Sequence, residues 1–210
     1  MSQVDVFDRH VDRYEKWFER HSAAFHSELD VIRRLMGRSR PRLEIGVGSG
    51  RFAAPLGVKY GIDPSANMLV CARARGVCVA CAVAEALPFR SGAFRIVLMV
   101  TTVCFLDDET RAMNEMRRVL APGGRAVLAF VDADSPLGRR YEERKPGNVF
   151  YRGAHFVGAT EVGEMLHRTG FHELRYAQTL RGDPDTLSSA ESATPGHGEG
   201  GFVVVSARRM

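Results

Sequence analysis

The stretch Glu44-Ile45-Gly46-Val47-Gly48-Ser49-Gly50 decides the fold of this 210-residue chain. It ends a short strand-like run, residues 42–45, and glycines at such a place let the backbone turn tightly and let a ligand approach it closely. In a doubly wound sheet, the ligand crevice lies at the carboxyl ends of the strands, beside the first one. The glycine loop therefore lies where a nucleotide would bind.

The spacing of the glycines indicates which nucleotide is expected. A dinucleotide fingerprint, Gly-x-Gly-x-x-Gly, would place its third glycine at position 51, but the chain has Arg51 there and the third glycine comes one residue early. The fingerprint also gives no role to Glu44, two residues before Gly46. A phosphate-binding P-loop is excluded because no Gly-Lys-Ser/Thr follows. The loop thus argues against the alternative of a nicotinamide-dependent oxidoreductase.

The sequence around the loop alternates short apolar runs with helical segments. Helices are predicted at residues 65–75, between the N-cap Ser65 and Gly76, and at residues 110–120, ended by Pro122-Gly123-Gly124. Strands separated by helices imply right-handed crossovers and a parallel sheet. The predicted strands are residues 42–45, 58–62, 77–81, 94–100 and 126–131.

Two flanking segments complete the predicted architecture. Residues 5–36 carry apolar residues at helical spacing and predict two helices, which form a cap over residues 1–40. Near the C-terminus, a helix at 160–169 precedes strands at 171–180 and 201–207, and two strands without a helix between them must pair antiparallel. The expected fold is one α/β domain, residues 1–210. Its sheet is doubly wound, mostly parallel and seven-stranded, with an antiparallel C-terminal hairpin, an N-terminal helical cap and a cofactor-binding core at 42–131.

Composition and termini exclude several classes of protein. Hydrophobic residues make up 45% and charged residues 26%, which is typical of a globular protein. The N-terminus does not resemble a signal peptide and no apolar run approaches the ~20 residues of a membrane span, so we expect a cytoplasmic protein without such a span. The net charge of +4 comes without any long run of like charges, so no nucleic-acid partner is expected.

The four cysteines invite a metal interpretation that their spacing does not favour. Cys78 and Cys81 make one Cys-x-x-Cys, without a second pair or a histidine ligand pattern nearby. Together with Cys71 and Cys104, they are interpreted as reduced, mostly buried thiols. No metal site is predicted.

Two further motifs follow the next predicted strands. The second strand leads to Asp63, in Gly61-Ile62-Asp63-Pro64-Ser65, where a carboxylate can accept hydrogen bonds from both hydroxyls of a ribose. The third leads to Ala84-Glu85-Ala86-Leu87-Pro88-Phe89, an apolar loop whose backbone donors could hold a purine ring edge-on.

In order and spacing, four motifs resemble those of the class I S-adenosylmethionine (SAM)-dependent methyltransferases. They are Glu-x-Gly-x-Gly-x-Gly, Asp-Pro-Ser, Ala-Glu-x-Leu-Pro-Phe and Arg118-Val119-Leu120-Ala121-Pro122-Gly123-Gly124. The chain is most similar to the small bacterial branch near the ubiquinone/menaquinone methyltransferases. The resemblance covers residues 42–131 well, and it depends on all four motifs, since the glycine loop alone is a weak signal.

The resemblance implies SAM as the cofactor and a set of residues that contact it. Gly46 and Gly48 would back the methionine part, Asp63 would hold the ribose, and Met68 would lie near the adenine. The full implied set is Tyr14, Trp17, Glu44, Gly46, Gly48, Gly50, Asp63, Pro64, Met68, Ala84, Glu85, Ala86, Leu87, Val100 and Thr101.

No catalytic residue can be assigned from the sequence. Methyl transfer from a sulfonium mainly requires that the nucleophile be aligned and water excluded, and a base is needed only if the nucleophile is protonated. Asp132, Tyr14 and His155 are candidates for a base or an orienting group. Asp132 fits a capping role equally well and His155 an exposed loop position, while Tyr14 and Trp17 also fit an amphipathic core stripe.

The acceptor is expected to be a small molecule. The segment Val100-Thr101-Thr102-Val103-Cys104 lacks the Asn-Pro-Pro-Tyr-like motif of amino-directed nucleic-acid methyltransferases, and no proline precedes Cys104 as in the carbon-directed enzymes. Residues 133–158 predict a substrate lid, whose basic residues could favour an anionic substrate or simply be solvated. A nucleic-acid methyltransferase and a SAM-binding protein without turnover remain as alternatives. The sequence indicates neither the nucleophile nor the oligomeric state.

Overall fold

In the computed structural model, residues 3–210 are described, and Met1 and Ser2, the first residues of the predicted cap, lie outside them. Within this range eight strands form a single sheet in the order β3-β2-β1-β4-β5-β8-β6-β7. The strands are β1 (Arg42–Ile45), β2 (Tyr60–Asp63), β3 (Cys78–Cys81), β4 (Phe94–Val100), β5 (Leu120–Val131), β6 (Phe171–Thr179), β7 (Thr194–Pro195) and β8 (Phe202–Arg209).

The pairing of the strands confirms a mostly parallel sheet with an antiparallel C-terminal pair. Strands β1 to β5 pair in parallel, with β1 between β2 and β4. β8 runs antiparallel to both β5 and β6, with Val205 opposite Leu128 and Val204 opposite Ala177. The last strand is therefore inserted between β5 and β6, and the two-residue β7 adds an eighth strand to the seven predicted.

Eight α-helices accompany the sheet in the described range. They are α1 (Gln3–Arg9), α2 (Val11–Arg20), α3 (Ser22–Met36), α4 (Ala53–Leu56), α5 (Ala66–Ala74), α6 (Glu109–Val119), α7 (Pro136–Arg144) and α8 (Ala159–Arg168). The cap holds three helices where two were predicted, because the chain leaves helical geometry at His10 (φ −119°) and His21 (φ −111°). Of the three, α3 packs on the face of the sheet against β5, β6 and β8, so it is part of the layered core as well as of the cap predicted for residues 1–40.

The sheet is covered by helices on both faces. Alternate side chains of β5 point to opposite sides, so that Leu128 joins a cluster with residues of α6 and α8, whereas Val127 joins one with residues of α3. Phe130 and Phe202 are almost fully buried, and burial of a side chain of that size contributes about 1.5–3 kcal/mol. This core holds the carboxyl ends of β1, β2 and β4 as a rigid platform.

The segment Pro122-Gly123-Gly124 lies elsewhere than predicted. It was expected to end a helix, but α6 ends at Val119 and β5 begins at the next residue, so all three residues lie within the strand. The register with β4 shifts between Phe94 and Ile96, as at a β-bulge. Gly124 fits this irregularity because a Cβ there would lie 2.7 Å from the Ala121 carbonyl oxygen.

The prediction of mostly buried thiols was wrong. Of the four, Cys104 is buried and Cys71 is half-buried. Cys78 and Cys81 are exposed because they lie on β3, an edge strand of the sheet. All four are free thiols. Over residues 3–210, no group of three potential metal ligands is found, and no helix is long and apolar enough to cross a bilayer.

Candidate functional site

The glycine loop follows β1 and is shaped by left-handed backbone. Gly46 has φ +70° and Gly48 has φ +51°, which side-chain-bearing residues rarely adopt. A Cβ on Gly46 would lie only 2.2 Å from the Thr102 hydroxyl oxygen, so the loop packs directly against the chain that leaves β4. That hydroxyl donates to the Val100 carbonyl at 2.9 Å, which fixes its position.

Asp63, the last residue of β2, is held between the glycine loop and α5. One carboxylate oxygen accepts a hydrogen bond from the Gly48 amide (2.8 Å) and the other from the Ser65 amide (2.9 Å). Burial raises the pKa of Asp63, and these two hydrogen bonds oppose the rise. Because a carboxylate oxygen has two acceptor positions, each retains one for a ligand hydroxyl. This geometry fits a ribose.

Glu44 presents a buried carboxylate oxygen beside the same loop. The side chain is 1% exposed, and its Oε2 has no hydrogen-bond partner within residues 3–210. Burial, followed by the nearby charge of Asp63, raises the pKa of Glu44 well above its usual range. A buried polar atom without a partner is destabilising. A hydrogen-bond donor on a ligand, such as the amino group of SAM, would give Oε2 of Glu44 the partner that it lacks.

Tyr14 of α2 faces the glycine loop from the cap. A Cβ on Gly48 would lie 3.5 Å from the Tyr14 hydroxyl. Burial raises the pKa of that hydroxyl, and the charges of Asp63 and Glu44 raise it further. The contacts of Trp17 differ, since its ring stacks on His21 at 4.7 Å and meets Phe18 edge-on at 5.1 Å. The structure thus brings Tyr14 to the glycine loop where Gly48 contacts Asp63, while the contacts of Trp17 fit a core stripe.

Arg51 links the glycine loop to helix α2 of the cap through an ion pair. Its guanidinium donates to Glu15 of α2 (2.6 and 2.9 Å), which also accepts from Arg75 (2.5 Å), and Arg75 donates to the Ser49 carbonyl. Partial burial would raise the pKa of Glu15, but the hydrogen bonds it accepts, including those from the two arginines, hold the pKa below its usual range. The residue that breaks the dinucleotide spacing therefore fixes α2 above the site.

In the loop after β3, fewer backbone groups are free to bind a ligand than the sequence suggested. The Leu87 amide donates to Glu115 (2.8 Å), its carbonyl accepts from Arg118 (3.0 Å), and the Ala86 amide donates within the loop. The Glu85 carboxylate accepts the amides of residues 107 and 108, before α6. A purine-binding role for this loop therefore falls to the backbone groups of Ala84 and Glu85.

Several of the predicted cofactor contacts are wholly or partly buried. Met68 and Val100 are buried (1% and 3% exposed), and Pro64 is half-buried between Asp63 and α5. Thr101 has φ +50°, a strained conformation for a residue with a side chain, and such strain concentrates at functional sites. Gly50 also has a positive φ, and a Cβ on this residue would lie 3.1 Å from the Ala72 Cα, so the loop packs closely against α5.

Asp132 caps a helix. Its side chain is 1% exposed, and Oδ1 accepts from the amides of Ala159 (3.0 Å) and Asp134 (3.3 Å). Since Ala159 begins α8, we expect Asp132→Ala to lower the free energy of unfolding by about 1–2 kcal/mol. Urea denaturation checks this, and an unchanged free energy of unfolding would contradict it.

His155 lies in the segment 133–158 with an exposed side chain. Its backbone amide donates to the Cys104 carbonyl at 2.8 Å, and this bond fixes the segment near the end of β4. The position fits the exposed-loop interpretation of the histidine.

A cluster of aromatic rings lies where the cap meets the segment 133–158. Phe7 is 5.3 Å from Phe150 and 5.5 Å from Phe105 between ring centroids, and Tyr151 stacks parallel to Phe105 at 6.4 Å. Tyr14 joins the cluster through Phe150 (6.1 Å), and Tyr141 through Tyr151 (5.4 Å). We call this set the aromatic enclosure: Phe7, Tyr14, Phe105, Tyr141, Phe150 and Tyr151. Through Tyr14 it adjoins the glycine loop.

Glu28 of α3 is a buried carboxyl group that the sequence analysis did not single out. It is 6% exposed, and no hydrogen bond or ion pair to it is found in the described part of the chain. Burial raises its pKa to about 8. A signal was present, because Glu28 lies on the apolar stripe formed by Phe25, Leu29 and Ile32, where a carboxylate is out of place.

Glu28→Gln is expected to stabilise the ligand-free protein increasingly as the pH rises. The pKa of an unfolded glutamate is about 4.3, whereas burial raises the pKa of Glu28 in the folded protein to about 8. Between these values the folded protein holds a proton that the unfolded chain has released, so the wild-type free energy of unfolding falls as pH rises. Urea unfolding at about pH 5 and pH 8 measures this, with Asp30→Asn on the same helix as the control, since the Asp30 side chain is 47% exposed and pairs only with Arg34 among the ion pairs of the described residues. A pH-independent effect of Glu28→Gln would contradict it.

Comparison with known proteins supplies the family. A family model described as a methyltransferase domain matches residues 43–128. A solved SAM-dependent methyltransferase of Thermotoga maritima, named as a possible histamine N-methyltransferase, is 43% identical. It superposes with a TM-score of 0.96 over 98% of this chain and 99% of that one.

Two curated proteins extend the similarity. An uncharacterised protein of Methanocaldococcus jannaschii is 39% identical over 99% of this chain and 100% of its own length. A ubiquinone/menaquinone biosynthesis C-methyltransferase of Ralstonia pickettii is 29% identical over 86% of this chain and 77% of its own length. The second agrees with the branch that the sequence motifs resemble.

Proposed function

This chain belongs to the class I SAM-dependent methyltransferases, and from that premise we propose that it methylates a small-molecule acceptor held between the cap and the segment 133–158. One observation carries the proposal. Tyr14 lies at once over the glycine loop, near Asp63 and Glu44, and within the aromatic enclosure. Methyl donor and acceptor would therefore meet beneath α2.

Specific residues are proposed to hold SAM. The backbone at Gly46 and Gly48 would support its methionine part, and Glu44 would accept from its amino group. Asp63 would accept from the ribose hydroxyls through the two acceptor positions that Gly48 and Ser65 leave open. Bound SAM supplies a methyl group activated by a sulfonium sulfur. The backbone of Ala84 and Glu85 would border the adenine.

The protein's part in the reaction is alignment and exclusion of water. The cap is tied down on two sides, since Asp8 of α1 accepts from the Ser65 hydroxyl (2.5 Å) and Glu15 accepts from Arg51. Aromatic rings from the cap and from the segment 133–158 contact one another beside the loop and would shield bound ligands from water. A nucleophile held there meets few competing waters, and orientation of this kind can contribute most of the catalysis of a displacement.

The charges of the segment 133–158 favour a small acceptor over a nucleic acid. Arg140 pairs with Asp183 (2.7 Å), Lys145 pairs with Glu142 (3.0 Å), and Arg139 donates to the Asp134 carbonyl. Phosphate contacts require available basic side chains. These contacts reduce the positive charge that the segment offers to a polyanion.

The test is a methyl-transfer screen with isotopically labelled SAM. Amines, phenols, thiols and carboxylic acids are offered alongside mixed RNA and DNA, and amines are included because the Thermotoga maritima protein is named as a possible histamine N-methyltransferase. The proposal expects label in a small molecule. Label in nucleic acid, with binding that weakens steeply as salt is added, would overturn it.

A further inference from the structure

We propose that the amino ends of strands β4 and β5 carry a second ligand site, which binds a small molecule through two or more phosphate groups. The site is separate from that of the methyl donor, because it lies at the opposite end of the parallel strands. Ile96 of β4 borders it, whereas the carbonyl of Val100 holds the Thr102 hydroxyl that packs on Gly46. At about 3.3 Å per residue, the four positions from Ile96 to Val100 separate the two ends of β4 by about 13 Å.

A cavity of about 440 Å³ lies where the end of α3 meets β4, β5 and β8. A cavity of that volume is large enough for a small-molecule ligand. Four arginines from separate elements line it: Arg40, Arg95, Arg125 and Arg208. No aspartate or glutamate is among the described residues that line it. The cavity therefore presents positive charge to a ligand.

Two of these arginines lie directly opposite each other in the sheet. Arg125 of β5 and Arg208 of β8 are partners in the antiparallel register, and like charges placed in this way are destabilising. Nη2 of Arg208 lies 3.9 Å from the position of a Cβ on Gly123, so this guanidinium extends towards β5. Burial lowers the pKa of Arg125, the charges of Arg175 and Arg208 lower it further, and Glu173 acts in the opposite sense. An anion between the two guanidinium groups would relieve their repulsion.

Most of the positive charge around the cavity has no carboxylate partner. Within residues 3–210, Arg208 pairs with Glu173 at 3.2 Å, but no ion pair involves the other three arginines. Their guanidinium groups donate instead to neutral oxygens: Arg40 to the Gly57 carbonyl (2.7 Å), Arg95 to the Pro122 carbonyl (3.4 Å) and Arg125 to the Ser206 hydroxyl (2.6 Å). Since a guanidinium has five N–H donors, each of the three keeps both its charge and donors for a ligand.

Arg42, the first residue of β1, adds a buried charge behind the cavity. It is 6% exposed, and it donates to the carbonyls of Gly37 (3.1 Å) and Ser39 (3.0 Å), both of which line the cavity. It also donates to the Leu56 carbonyl at 2.6 Å. All three acceptors are uncharged, and a buried charge without a counter-charge is costly. An anion in the cavity would supply that counter-charge.

The arrangement of the arginines favours a small phosphorylated molecule. The planar fork of a guanidinium matches the oxygens of a phosphate group, which it binds through two parallel hydrogen bonds. Four such forks around one cavity offer more donors than a single phosphate group can accept, so a ligand with two or more is expected. A polynucleotide is bound by basic side chains spread along an extended surface, whereas these side chains converge on one cavity.

The test is calorimetric titration of the wild-type protein with inorganic tripolyphosphate at fixed ionic strength. We expect one tripolyphosphate per chain. Arg95→Gln/Arg125→Gln should weaken this binding at least tenfold. The control Arg144→Gln/Arg168→Gln also removes two arginines, each with a side chain 65% exposed, and should leave binding within twofold. If the first double variant does not fold, Arg95→Gln alone, at an exposed position, should weaken binding at least threefold.

S-adenosylhomocysteine (SAH) is titrated into the same proteins to separate this inference from the proposed function. Its affinity should stay within twofold in every folded variant and in the presence of tripolyphosphate, because the two sites lie at opposite ends of the strands. Failure of SAH to bind would count against the methyl donor site and leave the phosphate site standing.

Three results would overturn the inference. The first is the absence of tripolyphosphate binding to the wild-type protein. The second is a loss in Arg95→Gln/Arg125→Gln that is below tenfold or is matched by the control, since the phosphate would then bind elsewhere or without specificity. The third is tighter binding of mixed-sequence RNA than of tripolyphosphate, lost in the same variant, which would assign the cavity to a polynucleotide.

Discussion

Asp63→Ala is expected to remove most of the thermal stabilisation that SAM or SAH gives this protein. Ligand at a hundredfold excess over its dissociation constant stabilises the folded state by about 2.7 kcal/mol. For a domain of this size, that corresponds to a rise in Tm of roughly 5–11 °C. Hydrogen bonds to a charged group contribute about 1.5–3 kcal/mol each, so losing two to a ribose would raise the dissociation constant more than a hundredfold. The rise in Tm should then nearly vanish.

The ligand-induced difference, and not Tm itself, is the informative quantity. Asp63 also accepts from the Gly48 and Ser65 amides, so the variant should melt lower even without ligand. Each variant is therefore melted with and without millimolar SAH, and Asp30→Ala on α3 serves as a matched loss of an exposed aspartate. A full wild-type rise in the Asp63→Ala protein would show that the carboxylate does not bind the donor.

Gly46→Ala is expected to have the largest effect on stability. The alanine would have to keep the backbone angle φ of +70°, which costs about 1–2 kcal/mol. Its Cβ would also lie 2.2 Å from the Thr102 hydroxyl oxygen. Overpacking of this kind typically costs a further 1–3 kcal/mol or so. The free energy of unfolding should fall by about 2–5 kcal/mol in urea denaturation, and SAH binding should weaken because the loop must move.

Gly76→Ala separates the two causes. Gly76 has a similar φ of +81° but nothing within 4 Å of its Cβ position, so only the backbone strain applies. Its loss should be about 1–2 kcal/mol. The double variant Gly46→Ala/Thr102→Ala should recover part of the Gly46→Ala loss. Equal losses at Gly46 and Gly76 would show that the contact with Thr102 is unimportant.

The core of the fold was predictable because its signals are local. A strand, a glycine turn and a helix recur within short windows from residue 42 to residue 131, and right-handed crossovers then make the sheet parallel. The insertion of β8 between β5 and β6 was not predictable in this way, because it depends on packing between segments far apart in sequence. The prediction that a helix ends at Pro122-Gly123-Gly124 failed for a different reason. Residue types that end helices also occur at bulges within strands, so their sequence does not distinguish the two.

The residues of the candidate site also divide into those that local sequence predicts and those whose contacts form only on folding. Asp63, Glu44 and the glycine loop follow from position at strand ends, whereas the partners of Asp132 and Leu87 come from elements reached only after folding. Glu28 could have been found, because a carboxylate on an apolar stripe is visible in the sequence. The contact between Phe7 and Phe150 could not, since the two residues lie more than a hundred positions apart in the sequence.

The most direct test of the account is calorimetric titration of the wild-type protein with SAH and, separately, with NADH. The one-residue shift at Arg51, the two open acceptor positions of Asp63 and the buried oxygen of Glu44 all predict one SAH bound per chain and no measurable binding of NADH. Binding of NADH without binding of SAH would contradict the assignment of the glycine loop to a methyl donor.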